Sequence, residues 1–389
     1  MKCIHCGKDT KFSERKINRG CGNCGKAFAF EPTTDSLKIT DPFFLRVIRD
    51  LSAQNKLSFT ERQLWYEFNR RLAHKRWWGL PLKLAIVAVV SSLIWRDLWQ
   101  VCLPLFGLPS LTIAVAGYLS HRRKLRFPAV TIEAFRSNYF RPWIQAHGPL
   151  EKLAPAEDNI ASAISAIDEG FRDFYAPSLS APEPDITAYS FDRALVTDSG
   201  KIAAMLVANN FHFENNCAIL SIDGYPPGLA ETVMTMLRRN PVLTIYALHN
   251  ASTGGCRLPL TLRQPEWFPD PAMAVFDLGL LPRHVQKRHW LTLQGIPQSL
   301  PEEIRRLLTP EEIAWLMYGF QVELAVLRPA RLMKAIYSGI GRSAQAKAGS
   351  EAGAGDRGDG GDIIWIHHGF DDADGGDGDG GFEASDSFG

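Results

Sequence analysis

The amino-acid sequence predicts a multi-domain α+β protein with a two-helix membrane hairpin. Three observations lead to this fold class: paired cysteines near the N-terminus, two long apolar stretches within residues 77–119, and alternating strand and helix patterns over residues 188–340. The 389 residues are long enough for two or three domains. Because the formal net charge is only +1, the chain as a whole does not favour polyanions, and any nucleic-acid contact has to be local.

Two CxxCG turns lie within the first thirty residues, Cys3 to Gly7 and Cys21 to Gly25. Two residues between cysteines let both thiolates face one ion, and two such turns complete a closed tetrahedral site. We therefore predict that one structural zinc is bound by Cys3, Cys6, Cys21 and Cys24, in a module that resembles zinc ribbons. Free surface thiols are the alternative. The remaining three cysteines are scattered singly, which favours a reducing compartment over a disulfide framework.

The loop between the two cysteine pairs is rich in basic residues. Two interpretations stay open, a surface that contacts phosphates and a solvated basic loop in which acidic residues are interspersed. The basic residues are Lys8, Lys11, Arg15, Lys16 and Arg19.

Residues 77–119 contain two apolar stretches of about twenty residues each, the length that crosses a bilayer as a helix. Lysines and arginines flank both outer ends, which indicates that both ends face the cytoplasm. The sequence therefore predicts an integral protein of the plasma or inner membrane, with two spans, both termini cytoplasmic and the lipid bilayer as a partner. Lys83 and Arg96 favour the alternative, a buried helix pair inside a soluble domain.

Residues 38–76 show two short helical patterns with an extended segment between them, as in a winged-helix module. Asp41 is the expected N-cap of the first helix, and Thr60 with Gln63 forms a capping-box pattern at the second. The segment FTERQLWYEFNRR resembles the winged helix of the type IIB DNA topoisomerase A subunit and of the related meiotic double-strand-break transesterase. The resemblance places Tyr66 at the tyrosine that attacks a DNA phosphate in that family. Core packing is the alternative role for Tyr66.

Short apolar strands alternate with amphipathic helices over residues 188–340, which predicts βαβ units around a parallel sheet. Polar residues follow the strands, and sites in such sheets lie at the carboxyl ends of the strands. The sequence therefore predicts one polar rim formed by Asp198, Asp223, His249, Asn250 and Asp277.

The order of strands and helices in this region, with the runs DGYP, MLRRN, IYALHN and DLGLLP, resembles the Toprim domain of the same topoisomerase family. That resemblance implies a magnesium site built from clustered carboxylates, with Asp198 as the first acid. The expected pair of aspartates is replaced by Asn250 and Ser252, so the metal site of the family is incomplete here. A structural role for Asp198 and Asp223, as helix caps or turn formers, is the alternative.

The remaining predicted divisions follow from composition. A capping box from Thr309 to Glu312 starts a late helix, and the glycine- and aspartate-rich C-terminus is expected to be disordered. The predicted domains are a zinc ribbon (1–30), a winged-helix-like segment (38–76), the membrane hairpin (77–119), a helical region (128–176), a proline-rich linker (177–187), a Toprim-like domain (188–340) and a disordered acidic tail (343–389).

Two functions of different classes follow. The favoured one is a membrane-anchored zinc-ribbon protein that displays a non-catalytic Toprim-like domain on the cytoplasmic face and binds a protein or nucleic-acid partner. Nucleic acid would be contacted through the ribbon and the helical segment. The alternative is a DNA-cleaving or other phosphoryl-transfer enzyme, with Tyr66 as nucleophile and Asp198 as a ligand of magnesium. The non-enzymatic function is favoured because it requires no missing residues.

Overall fold

The architecture is mixed α/β, with a four-stranded parallel sheet as its central element. The computed structural model of the chain describes residues 1–18, 20–73, 127–154, 191–226, 230–238, 240, 243–268, 273–286 and 291–352. The predicted hairpin (77–119), the proline-rich linker (177–187) and most of the predicted tail lie outside these ranges, as does the second half of the helical region predicted over 128–176.

The N-terminal part consists of the two cysteine turns, with one short helix between them and further helices after them. The helix Asp41–Leu51 is capped by Thr40 and not by Asp41. The side chain of Thr40 accepts a hydrogen bond from the N–H of Phe43 at 3.4 Å. The predicted capping box between Thr60 and Gln63 is present, with reciprocal hydrogen bonds of 2.8 and 3.1 Å. The helices are α1 (Phe12–Asn18), α2 (Asp41–Leu51), α3 (61–73), α4 (Ile132–Phe135) and α5 (Arg141–His147), with a π-helical turn, Arg136–Phe140, between the last two.

The sheet has the strand order β2-β1-β3-β4, and all its pairs are parallel. Its strands are β1 (Arg193–Thr197), β2 (Cys217–Ser221), β3 (Thr244–Leu248) and β4 (Ala274–Asp277). Every residue of β2 and β3 is buried, which explains their nearly continuous apolar sequences. The helices among these strands are α6 (Gly200–Ala208), α7 (Phe211–Glu214), α8 (Ala230–Leu237), α9 (Leu258–Leu262), preceded by a 3-10 turn (Gly255–Arg257), and α10 (Pro282–Gln286). The chain reverses direction across the sheet between β1 and β3, so the carboxyl ends of these two strands form its topological switch point.

The last part of the described chain adds a small antiparallel pair and a long helix. The capping box predicted at Thr309 and Glu312 is confirmed. The elements are β5 (Leu293–Gln294), α11 (Glu302–Arg305), α12 (Pro310–Met317), β6 (Phe320–Gln321), a 3-10 turn (Leu324–Val326) and α13 (Pro329–Ala352). Helix α13 continues through residues 343–352, which the composition assigned to the disordered tail.

A single apolar core joins the N-terminal helices to the sheet. It contains Phe30 beside the cysteine turns, Tyr66 on α3, Tyr246 on β3 and Leu332 on α13. The polar contacts between these parts include a bidentate ion pair from Arg62 to Glu323 at 2.7 Å. Among the described residues, the cysteine module (residues 1–30), the helical segment (residues 38–73) and the sheet are therefore packed together.

The structure contradicts the membrane part of the predicted fold class. Within the described ranges, no helix combines the length and the apolar composition that a bilayer crossing needs. The longest of these helices, α13, has 24 residues but carries Arg331, Lys334 and Arg342 along its length. The prediction of an α+β protein with two transmembrane helices is therefore wrong on this point, and the predicted integral membrane localisation is not supported.

Candidate metal centre and the carboxyl edge of the sheet

The four N-terminal cysteines converge on one point. Their sulfur atoms all lie within 4.8 Å of one another, with Cys3 and Cys24 at 3.7 Å and Cys6 and Cys21 at 3.5 Å. A tetrahedral site with metal–sulfur bonds of about 2.3 Å places its sulfurs about 3.8 Å apart. The four cysteines could therefore hold a metal ion such as zinc.

The two cysteine turns have the same backbone geometry. In each, the first cysteine donates its N–H to the carbonyl of the lysine five residues later, from Cys3 to Lys8 at 3.0 Å and from Cys21 to Lys26 at 2.8 Å. Each turn closes on a glycine with positive φ, 73° in the first and 71° in the second, a conformation that glycine adopts without strain. The repeated sequence Cys-x-x-Cys-Gly-Lys thus forms two equivalent halves of one site.

The surroundings lower the pKa of the Cys6 and Cys21 thiols but raise the pKa of Cys24, where a backbone hydrogen bond from Lys26 is outweighed by burial and the neighbouring sulfurs. The backbone N–H groups of Cys24 and Asn23 are directed at the sulfur of Cys21 and lower the pKa of that thiol to about 6. The hydroxyl of Thr10, which is buried, donates to the same sulfur at 3.9 Å. Thiolate is the form of cysteine that binds metal, so these donors prepare the site for an ion.

The basic residues near the metal centre divide into two groups. Arg15 is buried and forms a bidentate ion pair with Glu31 at 2.9 and 3.0 Å, which raises the pKa of Arg15. It also donates to the carbonyl of Thr10, so it belongs to the interior of the module. Lys8 and Lys11 are exposed. The side chains of Lys16 and Arg19 lie outside the part of the chain that the structure describes.

The structure brings the predicted polar rim together at the carboxyl edge of the sheet. Asp198, after β1, accepts a hydrogen bond from the N–H of Asn250, after β3, at 2.8 Å. Asp223, after β2, accepts from the N–H of Gly200 at 3.1 Å, at the start of α6. Asp277, at the end of β4, has a carboxylate oxygen 3.0 Å from Nε2 of His249.

Burial and charge act in opposite directions on His249. The side chain is fully buried, which lowers its pKa, but the neighbouring Asp277 and Asp198 outweigh this and raise the pKa overall. Burial also raises the pKa of Asp198 to about 6, against the opposing effect of His249. One oxygen of Asp198, Oδ1, has no hydrogen-bond partner among the described residues. Both His249 and Asp198 thus have raised pKa values at the topological switch point of the sheet.

Most polar groups of the rim are occupied by contacts within the protein. The side-chain oxygen of Asn250 accepts from the N–H of Leu324 at 2.6 Å, and the hydroxyl of Ser252 accepts from the N–H of Gly255 at 3.0 Å. These are the two residues at the positions where the predicted Toprim resemblance would place aspartates. Over the part of the chain that the structure describes, only the four N-terminal cysteines form a group with metal-binding spacing, so the rim carboxylates do not converge on one point.

Tyr66, the candidate nucleophile, lies in the core. Its side chain is fully buried, and its hydroxyl has no hydrogen-bond partner among the described residues. Burial and the adjacent carboxylate of Glu323 raise its pKa well above the ordinary value. Because a nucleophile must reach its substrate, this position favours the packing role for Tyr66.

The structure also reveals a polar chain that the sequence does not indicate. His147, at the end of α5, places Nε2 2.8 Å from a carboxylate oxygen of Asp41, and its Nδ1 lies 3.4 Å from Nε2 of His5. His5 stands between the two cysteines of the first turn. In the sequence, Asp41 has the pattern of a helix cap, and His5 has no evident role beside the cysteines. His147 is 106 residues from Asp41, so no local pattern indicates that the three residues are in contact.

Comparisons with protein-family models, with curated proteins and with solved structures found no match for this chain. The resemblance to the topoisomerase family thus stays a prediction.

Proposed function

We propose that this protein is a zinc-stabilised, non-enzymatic binding protein whose cysteine module contacts nucleic-acid phosphates. The observation that carries the proposal is the repeated Cys-x-x-Cys-Gly-Lys turn. It places Lys8 and Lys26 at equivalent, exposed positions on the two halves of one metal centre. Two cations held on a rigid, metal-closed scaffold suit the regularly spaced charges of a nucleic-acid backbone.

Zinc fits the cysteine set in both chemistry and spacing. Four thiolates at tetrahedral distances form a closed structural site, in which no coordination position is left for a substrate. Zinc would therefore stabilise the fold of the module and take no part in a reaction.

The charges around the cysteine module favour a polyanion. Lys2 and Lys11 are exposed in addition to the two turn lysines. Asp9 pairs with the N-terminal amine at 2.8 Å, and Glu31 pairs with Arg15, so these two acids are already neutralised. The exposed lysines are then less opposed by local negative charge.

The helical segment contributes less to such a surface. The arginines of α3 that face its neighbours have internal partners: Arg62 binds Glu323, Arg71 binds Glu67, and Arg70 donates to the carbonyl of Val326. We therefore assign phosphate contact to the cysteine module alone.

Two features support a non-enzymatic function. The polar side chains at the carboxyl edge of the sheet satisfy the protein's own backbone, and Tyr66 is enclosed in the core. The competing function is DNA cleavage by Tyr66 with magnesium at Asp198. It would require the edge side chains to give up their hydrogen bonds to the backbone and Tyr66 to leave the core.

Neutralising the two turn lysines tests the binding proposal. We expect the double variant Lys8→Gln/Lys26→Gln to bind duplex DNA more weakly, with a salt dependence reduced by about two units in the slope of log K against log salt. Titrations of a labelled duplex at several salt concentrations, with zinc content measured in parallel, give this slope. Lys56→Gln, an exposed lysine outside the cysteine module, is the control and should leave the slope unchanged. Equal slopes in wild type and double variant would contradict phosphate contact by the two turn lysines.

A second measurement separates the two functions. When the full chain is incubated with DNA and magnesium and then denatured, we expect no protein-linked DNA, because the Tyr66 hydroxyl is enclosed. Electrophoresis of end-labelled DNA after denaturation detects such links. A linked product that disappears in Tyr66→Phe would show that the protein is an enzyme of the transesterase type.

A further inference from the structure

One face of the helical stretch 132–147 carries a row of buried side chains at intervals of four residues, Phe135, Tyr139, Trp143 and His147. In a regular α-helix this spacing drifts around the axis, because each turn holds 3.6 residues. The π-helical turn Arg136–Phe140 holds more residues per turn and offsets the drift. The π turn thus keeps the row on one face of the helix.

This row is the surface on which the cysteine module rests. The hydroxyl of Tyr139 donates to Asp35 at 3.1 Å, and the ring of Trp143 stacks on Phe30, with 6.0 Å between the ring centres. Phe30 follows Gly25, the last residue of the second cysteine turn, by five residues. The module is therefore packed against the helix through Tyr139, Trp143 and His147.

His147, at the end of the row, connects to both cysteine turns. On one side, its Nε2 faces Asp41, which is fully buried and accepts hydrogen bonds from the N–H groups of Ala29 and Phe30 at 3.0 Å each. A carboxylate only accepts, so Nε2 of His147 is the donor in this contact. The link holds the segment that leaves the second turn.

On the other side, the Nδ1 of His147 meets Nε2 of His5 at 3.4 Å. When His147 is a neutral imidazole whose Nε2 donates to Asp41, its Nδ1 accepts from His5. His5 lies between two metal ligands, and its position fixes the first turn. A single histidine thus connects the first turn, through His5, to the segment that follows the second turn, through Asp41.

We propose that His147 is a positioning residue of the metal centre, and that the protein retains its metal only when α5 is docked on the cysteine module. This inference rests on the zinc site of the proposed function but not on nucleic-acid binding. Groups that orient the ligands of a metal contribute about 10- to 100-fold to its affinity. The contact would also make docking of the helix depend on metal, since coupling between two events is reciprocal.

Transfer of zinc from the full chain to a chromogenic chelator tests the inference. We expect zinc release from His147→Ala to be at least about tenfold faster than from wild type, and release from His5→Ala to be accelerated less. His147→Gln, which can still donate to Asp41, should release zinc at an intermediate rate. The double variant His5→Ala/His147→Ala should be no faster than His147→Ala, because both residues act through one chain of contacts.

The control is His212→Ala, which changes a buried histidine on α7, away from the cysteine module. It should release zinc at the wild-type rate. Wild-type release from His147→Ala, equal acceleration in His212→Ala, or multiplied effects in the double variant would each overturn the inference. Wild-type protein purified without zinc would overturn both proposals, whereas absence of DNA binding with the expected release rates would overturn the proposed function alone.

Discussion

Replacing Cys21 with alanine is expected to abolish stoichiometric zinc binding and to unfold the cysteine module. Cys21 is buried, its sulfur lies 3.5 Å from that of Cys6, and it receives the hydroxyl donor of Thr10. Structural zinc contributes about 10 to 16 kcal/mol to the folding of small metal modules, so removal of one ligand has a large effect. We expect the affinity for zinc to fall by more than about a hundredfold, beyond the loss seen when only a supporting contact is removed.

The effect should spread beyond the module. Phe30 packs against Phe44 and Trp143 in the common core, so loss of the cysteine turns removes one wall of the helical segment. Zinc content by elemental analysis and the rate of proteolysis near the N-terminus measure the two consequences. Cys256→Ala is the matched control, because Cys256 is also a buried free cysteine but belongs to the sheet region. Full zinc content in Cys21→Ala would contradict the assignment of this ligand.

The parts of the fold that follow from local pattern were predictable from the sequence. The strands of the parallel sheet are short, mostly apolar runs within the region 188–340, where such strands are predicted, because strands covered on both faces are continuously apolar. The cysteine set was predictable for the same reason, since its ligands come from two short turns with a fixed spacing. The shared location of the polar residues that follow the strands was also predictable, because parallel strands share one carboxyl edge.

The parts that depend on contacts between distant residues were not predictable. The helical pattern around Tyr66 does not determine whether its side chain is buried. The side chain is buried because α3 packs against Glu323 and the sheet. His5 and His147 are 142 residues apart, and the sequence around the cysteines does not indicate that the cysteine module contacts α5. Glu67 looks like a charged surface residue of α3, yet its main partner, Arg328, is 261 residues away.

Glu67 should be one of the most costly side chains to neutralise. Its carboxylate is almost fully buried and is surrounded by Arg70 at 3.0 Å, Arg71 at 3.0 Å and Arg328 at 2.8 and 3.0 Å. Burial alone would raise its pKa, but Arg70, Arg328 and Arg71 outweigh burial and lower the pKa to about 2. The carboxylate joins α3 to the start of α13, so its charge connects the helical segment to the sheet region.

We expect Glu67→Gln to reduce the free energy of unfolding by about 3 kcal/mol at neutral pH, because it leaves three guanidinium groups without their common negative charge. The matched control is Glu61→Gln on the same helix, whose ion pair with Arg136 is partly exposed and should contribute less than about 1 kcal/mol. Urea denaturation of both variants and of wild type gives these differences. A smaller loss for Glu67→Gln than for Glu61→Gln would contradict the central role of the buried carboxylate.

The pH dependence gives an independent test of the same charge. Because the pKa of Glu67 is lower in the folded chain than its usual value of 4.5, its contribution is fully present above pH 4.5 and is lost as the pH falls towards about 2. The difference in unfolding free energy between wild type and Glu67→Gln should therefore narrow as the pH falls from about 5 to about 3. Any loss of a metal bound by the cysteines at low pH would affect both proteins alike and cancel in this difference. A difference that stays constant over this range would show that shape, and not charge, makes Glu67 important.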